Sequence, residues 1–400
     1  MTEIRKLKKE WLSSKFSTSL EKTRWVRKDR YKQSLTYIPI HLMEKILTYL
    51  DDNDLHRAKS TCHFFHRAFF QYFKGTKIEK GKVKTIMNYV NLGYSFKSIE
   101  NMALKHSFHI FEQKLLQNKN FPSLRTLKLE NIKLEGLGEH KRLLDLTLGS
   151  CEYDWSEDTN KNQGGFPFPN LQVLRIENGT PIMQKNNLPY LDKLKTLEII
   201  DTFIDQPLSK NKLKNLRKLV LIGEDVVKKI PNIRISRLWD LTIDNAAYYP
   251  IKRENQFKFL RRLKLVITGD ANPYETPILK RLTHRYCPYL EDLILEFGTE
   301  WTNCDFSFLE SHNNLRRLEL HSRGIAYAKN LSSAKFPNMT VLILNCDVFE
   351  IDKMPPHDKL EHIEVPKGTD ISRLSLENSK WPKLVRAGEY GLLNPNDVMI

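Results

Sequence analysis

The chain has 400 residues, 40% of them hydrophobic and 28% charged, with 64 Lys/Arg against 48 Asp/Glu for a net charge of +16. That is ample material for a packed core, and no apolar run reaches the roughly 18 residues that would read as a membrane-spanning helix or forms the h-region of a secretory leader. Five cysteines, an odd number without C-x-x-C, fit a reducing compartment rather than a disulfide framework.

In chain order, residues 1–34 form a basic N-terminal extension with 11 Lys/Arg against four Asp/Glu, net +7. Its runs RKLKK (Arg5–Lys9) and RWVRKDRYK (Arg24–Lys32) read either as a solvated tail or as a nuclear-address or nucleic-acid contact. Residues 35–73 carry no net charge and switch to helical periodicity. Pro39 opens a helix whose apolar stripe is Leu42, Ile46 and Leu50, with Met43 and Leu47 beside it. Asp51 or Asn53 can cap a second helix carrying Leu55, Ala58 and Cys62, and a third, aromatic one runs from His63 to Phe73. Residues 74–120 are basic again, net +6, and are expected to be a helical linker.

From residue 121 the pattern L-x-x-L-x-L takes over. It returns eleven times, from Leu124, Leu143, Leu171, Leu194, Leu216, Leu238, Leu260, Leu290, Leu315, Met339 and Leu360. The starts lie 19, 28, 23, 22, 22, 22, 30, 25, 24 and 21 residues apart. Motif positions 4 and 6 share one face of an extended strand, and positions 3, 5 and 7 share the other. No single repeat can bury its aliphatic face alone, so stability must come from stacking. Three residues before each motif stands a large apolar side chain in seven places: Phe121, Phe168, Leu191, Leu213, Phe257, Phe336 and Trp381. Position 9, where Asn or Cys ordinarily bonds the turn backbone, matches only at Cys151; Ile132, Gly179, Thr202 and Glu224 stand there elsewhere. Loops or single helical turns are expected between strands, with a mobile acidic insertion at 149–168 and a helix over 276–286 from Ile278, Leu282 and Tyr286. Trp381–Leu384 begins a decaying twelfth unit as a C-terminal cap of a solenoid spanning 121–390, and 391–400 are a tail. The expected architecture is α/β: a solenoid of 11–12 irregular leucine-rich repeats, with a parallel concave sheet, preceded by three short helices.

The helical segment resembles an F-box, carried by Ile38, Pro39, Leu42, Ile46, Leu47, Leu50, Asp54, Leu55, Cys62 and Phe65. With repeats following it, the chain resembles the F-box/leucine-rich-repeat family. His63 and His66 depart from the Trp-containing ending common there. The resemblance implies a substrate receptor of an SCF-type cullin-RING ubiquitin ligase. Pro39, Leu42, Ile46, Leu47, Leu50 and Leu55 would dock a Skp-type adaptor and, through it, cullin and RING subunits. The bland alternative is a helical cap on the solenoid.

A protein substrate would lie on the exposed strand positions 3, 5 and 7, with Lys218, Val220, Ile222, Arg262, Lys264, Ile294, Arg317 and Ile343 as candidate contacts. No Gly-rich phosphate loop, H-E-x-x-H or nucleophile elbow is present, so a non-catalytic role without cofactor or metal is expected. Cys62, His63 and His66 read as packing. The runner-up is an adaptor-bound scaffold associated with chromatin or nucleic acid through the basic segments. The expected location is cytoplasm or nucleus.

Overall fold

The computed structural model describes residues 54, 57, 96, 99–105, 116, 118–134, 139–154, 168–178, 180–182, 191–202, 213–229, 237–244, 246, 257–268, 279, 282, 284–298, 303–304, 306, 309–326, 330–349, 354–369 and 381–389. The chain divides into two compact units, residues 1–74 and 75–400. The extension 1–34, the tail 391–400 and nearly all of the segment 35–73 lie outside the described residues.

In the second unit, among the described residues, the strands begin with β1 (Asn101–Lys105), β2 (Thr126–Glu130), β3 (Lys133–Leu134), β4 (Asp145–Gly149), β5 (Glu152–Asp154), β6 (Val173–Glu177) and β7 (Thr180–Ile182). Then come β8 (Thr196–Ile200), β9 (Lys218–Ile222), the short helix α1 (Glu224–Lys229), β10 (Asp240–Ile243), β11 (Arg262–Ile267), β12 (Asp292–Phe297) and β13 (Asn303–Cys304). The last are β14 (Arg317–His321), β15 (Ile325–Ala326), β16 (Val341–Asn345), β17 (Val348–Phe349), β18 (His362–Val365) and β19 (Arg386–Glu389). Thirteen of them form one sheet in the order β1-β2-β4-β6-β8-β9-β10-β11-β12-β14-β16-β18-β19. Every pairing in it is parallel, and each strand lies beside its predecessor and successor along the chain. That is a parallel-sheet solenoid, with little helix among the described residues, of leucine-rich-repeat type.

The core follows from the motif. At positions 1, 4 and 6, all 33 side chains of the eleven repeats are at most 2% exposed. Leu197, Leu219, Leu241 and Leu263 stand opposite one another on successive strands, as do Ile199, Leu221, Ile243 and Leu265. Parallel strands about 4.8 Å apart put each aliphatic side chain in contact with its equivalents on both sides. Truncating one of these to Ala would cost about 2–5 kcal/mol.

The solenoid starts earlier than residue 121. Residues 101–105, expected to be part of a helical linker, are instead strand β1, paired in register with β2. Ile99, Met102 and Leu104 occupy positions 1, 4 and 6, all buried, with Phe96 three residues ahead. One other expectation changes. Glu152–Asp154, inside the acidic insertion, form a strand in a second parallel sheet, β3-β5-β7, and β13-β15-β17 make a third. In 276–286 the described residues are Leu279, which is 3-10 helical, Leu282, and 284–286 in a turn. Leu279 and Leu282 are buried and joined by a bond from Leu282 N to Leu279 O of 3.0 Å, and the rest of the expected helix lies outside the described residues.

Among the described residues, nine of the eleven repeats open with a four-residue turn. The amide of motif position 1 donates to the carbonyl three residues back, as in Leu124 N to Phe121 O, Leu171 N to Phe168 O and Met339 N to Phe336 O. Pro122, Pro169, Pro288 and Pro337 take the second place of such turns, where a fixed φ suits them. Asn170, Asn215, Asn314 and Asn338 take the third place. Their Nδ2 groups donate to Lys141, Asp192, Pro288 and Asn313 O, the second residue of the preceding turn, at 2.6–2.7 Å. This ladder staples neighbouring repeats at the start of their strands. At the other end, Asn131, Ser150, Asn178 and Asp201 adopt φ of 45–56°, and Gly223 takes φ 102°. These residue types tolerate left-handed backbone, and a Cβ on Gly223 would sit 3.3 Å from the Asp201 Cα. One position later, Cys151 Sγ donates to Leu129 O and Gly149 O, and Thr202 Oγ1 bonds to Ile176 O and Ile200 O. Thr202 therefore does the position-9 work that the motif assigns to Asn or Cys.

Candidate functional site

Of the first unit, Asp54 and Arg57 are described: both are helical, with Arg57 Nη1 4.0 Å from Asp54 Oδ1. The expected adaptor contacts Pro39, Leu42, Ile46, Leu47, Leu50 and Leu55 lie outside the described residues.

The long sheet's outward face is built by register. Because strands are parallel and in step, each outward position forms a row across the sheet. Position 3 reads Lys218, Asp240, Arg262, Asp292, Arg317 on five successive strands, alternating in sign. Arg262 Nε donates to Asp292 Oδ2 at 2.8 Å, and Arg317 Nε lies 3.7 Å from Asp292 Oδ1. Position 5 reads Arg175, Glu198, Val220, Thr242, Lys264, Ile294, Glu319, Ile343. Glu198 accepts from Arg175 Nε at 2.5 Å and from Lys218 Nζ at 2.9 Å. Lys264 Nζ reaches Glu296 Oε1 at 2.6 Å. Glu319 is held by Arg317 and by His321 Nε2 at 2.7 Å. Asn345 Nδ2 lies 3.2 Å from His321 Nδ1.

The electrostatics follow from these contacts. The His321 bond, assisted by Arg317, outweighs burial and holds the Glu319 carboxyl down at about 2. At Glu198 burial pushes upward, but the bonds from Arg175 and Lys218 win and its pKa is lowered. At Asp240 burial wins over the attraction of Lys218 and Arg262, and at Asp145 over that of Arg175, so both are raised.

The expected contact residues divide accordingly. Lys218, Arg262, Lys264 and Arg317 all reach this face, and each is already engaged with a carboxylate. Ile222 and Ile294 are half-buried. Val220 and Ile343, expected to be exposed, are only 9% and 6% accessible. Side chains on strands about 4.8 Å to either side cover them, which no reading of a single repeat could show. What remains is a surface of paired charges with half-buried Ile222 and Ile294 between them. Among the described residues no three His, Cys, Asp or Glu are grouped to hold a metal, and no helix is long and apolar enough to cross a membrane.

Two sets of residues escaped the sequence reading. His140, His312 and His357 occupy the place three before the motif that most other repeats give to Phe or Leu, and all are at most 1% exposed. Their spacing from Leu143, Leu315 and Leu360 was the available signal. The other set is a cluster of exposed aromatics, Trp239, Phe259 and Tyr289, on adjacent repeats.

Residues 35–70 match the family model of the F-box domain. No curated protein matches the chain. Among solved structures, the chain is similar to the one titled "Crystal structure of TLR13-ssRNA13 complex", at 12% identity and a TM-score of 0.36, covering 81% of this chain and 59% of that one. The chain thus spans about three fifths of that protein's length.

Proposed function

We propose that this chain is the substrate-recognition subunit of an SCF-type cullin-RING ubiquitin ligase. The observation that carries the reading is an F-box match over residues 35–70 in the same chain as a thirteen-stranded parallel solenoid. F-box domains bind Skp-type adaptors, and a solenoid offers the extended surface on which a protein substrate can be held. Pro39, Leu42, Ile46, Leu47, Leu50 and Leu55 are the proposed adaptor contacts. Lys218, Ile222, Arg262, Lys264, Ile294 and Arg317 are the proposed substrate-facing residues. The mechanism is proximity: substrate lysines are kept at high effective concentration near a ubiquitin-charged enzyme, while other subunits supply the chemistry.

The test is affinity purification from the native host of wild type and of a Pro39→Ala, Leu42→Ala, Ile46→Ala variant whose folding is checked by circular dichroism. Adaptor and cullin should accompany wild type and be lost from the folded variant. Adaptor without cullin would overturn the ligase assignment in favour of a scaffold; neither protein with wild type would reduce the segment 35–73 to a cap.

A further inference from the structure

The edge of the solenoid where the strands begin carries two rows set by the repeat. One is motif position 2, whose amide donates to the position-2 carbonyl of the preceding repeat: Trp239 N to Arg217 O at 2.8 Å, then Arg261 N to Trp239 O at 2.9 Å. The other is the third residue of the opening turn, one before the motif. Along most of that second row the side chains are polar and form the Asn ladder, extended by Lys193 Nζ on Asn170 Oδ1 and Arg237 Nη1 on Asn215 Oδ1. At two consecutive repeats the polar residues give way to Phe259 and Tyr289, which stack on each other with centroids 6.4 Å apart and planes 7° from parallel. Beside them in the first row stands Trp239. The three are 44–48% exposed, and they are three of the five large apolar side chains this exposed among the described residues.

The cations around them are ordered by the rings. Arg217 and Arg261 lie over the Trp239 indole at 5.3 and 5.2 Å, and Lys258 Nζ lies 5.9 Å from the Phe259 centroid. Among the described residues Arg217 and Lys258 have no carboxylate partner, whereas Arg261 is 3.3 Å from Glu291. The Arg217 guanidinium, near the indole and without a carboxylate partner among the described residues, has N–H groups in the fork geometry that takes a carboxylate bidentately. Stacking also lowers the entropy lost when that bond forms. Lys214 and Arg316 extend the positive charge along this edge, in a solenoid that is nearly neutral over residues 121–400.

We propose that this edge, centred on Arg217, Trp239 and Arg261, binds an extended acidic segment of a protein partner. The inference rests on the reading of the solenoid as a protein-binding surface and assigns to it a site away from the sheet's outward face. Carboxylates of the segment pair with Arg217 and share Arg261 with Glu291, and its apolar groups lie against Phe259 and Tyr289. Single-stranded nucleic acid, which also uses exposed aromatic rings beside cations, is the alternative occupant that the oligo(dT) probe below tests.

The test is fluorescence anisotropy with the full chain and three labelled probes: a 12-residue Asp/Glu/Leu peptide, its Asn/Gln/Leu counterpart, and a 12-nucleotide oligo(dT). The acidic peptide should bind at least about tenfold tighter than the neutral one. Arg217→Ala/Arg261→Ala should weaken it by about tenfold or more, the loss of two charge-assisted contacts. Trp239→Leu, which leaves the charge unchanged, should weaken it by about two- to fivefold. The charge-matched control Arg125→Ala/Arg142→Ala, on the same edge several repeats away, should change it less than about twofold if the site is local. Equal losses from the two Arg pairs, indifference to Trp239→Leu in a folded variant, or tighter binding of oligo(dT) would each overturn the proposal. Adaptor capture does not enter this titration, so either reading can fail while the other stands.

Discussion

Replacing Glu198 by Gln keeps the side-chain volume and removes one charge from the middle of the sheet's outward face. The carboxylate side chain is only 7% exposed and bridges two neighbouring strands, taking Arg175 from β6 and Lys218 from β9. Two hydrogen bonds to a charged group would contribute about 3–6 kcal/mol if all partners were buried. The cations, however, are about 40% exposed, so solvent screening reduces each pair to about 1 kcal/mol. The desolvation of the carboxylate offsets part of that. A net loss of about 1–2 kcal/mol is expected, read from urea unfolding followed by circular dichroism at neutral pH. A double-mutant cycle isolates the contact: Glu198 and Arg175 should couple by about 0.5–1 kcal/mol, while Glu198 and Arg262, three strands away, should couple by less than about 0.3 kcal/mol. Because the folded pKa of Glu198 is lowered from 4.5, the unfolded chain binds the extra proton, so this stabilisation is present above 4.5 and is lost as pH falls through the lowered value. A neutral or stabilising Glu198→Gln, or equal coupling to Arg262, would refute the argument that inter-repeat ion pairs hold this face.

Burial lowers the pKa of His312 and His357 below 6.5, so the unfolded chain takes up protons first and stability falls as pH drops below 6.5. The double variant His312→Phe/His357→Phe, using the residue other repeats place there, should flatten the fall in urea midpoint between pH 7.5 and 5.5; parallel slopes for the two proteins would contradict this. Glu319, held at about 2 against 4.5, contributes stability above 4.5 that disappears on acidification toward 2, so Glu319→Gln should lose most of its deficit relative to wild type by pH 3. Asn338→Ala removes both a donor to Asn313 O and an acceptor for Lys359 Nζ and should lower stability by about 1 kcal/mol, whereas Asn338→Asp, which keeps the Lys359 contact but cannot donate to Asn313 O, should lose less. If the basic segments 1–34 and 74–120 contact nucleic acid, gel-shift affinity should fall steeply with salt and vanish on deleting the first and neutralising the second, while a salt-insensitive result would dismiss that scaffold role.

The period of the solenoid and its buried face were legible in the sequence because both are properties of one repeat. Leu219 and Leu221 have to be inside whatever lies next to them, and their 0–1% exposure follows from alternation along a strand. The first strand was legible too, had Ile99 and Met102 been admitted as aliphatic equivalents of leucine. The outward face was not. Whether Val220 is open, whether Lys218 is free, and which cation Glu198 takes depend on side chains about 20 residues away, brought abreast by connections of unequal length. Burial of His140, His312 and His357 at an aromatic position, the Asn ladder, and the Arg217–Trp239–Arg261 stack have the same origin. The sequence by itself determined what each strand must hide, since that requires only the alternation of a β-strand. Only the tertiary structure decided what each strand shows, because an exposed side chain in a parallel sheet is defined by its two neighbours across the sheet, and the sequence does not state their register.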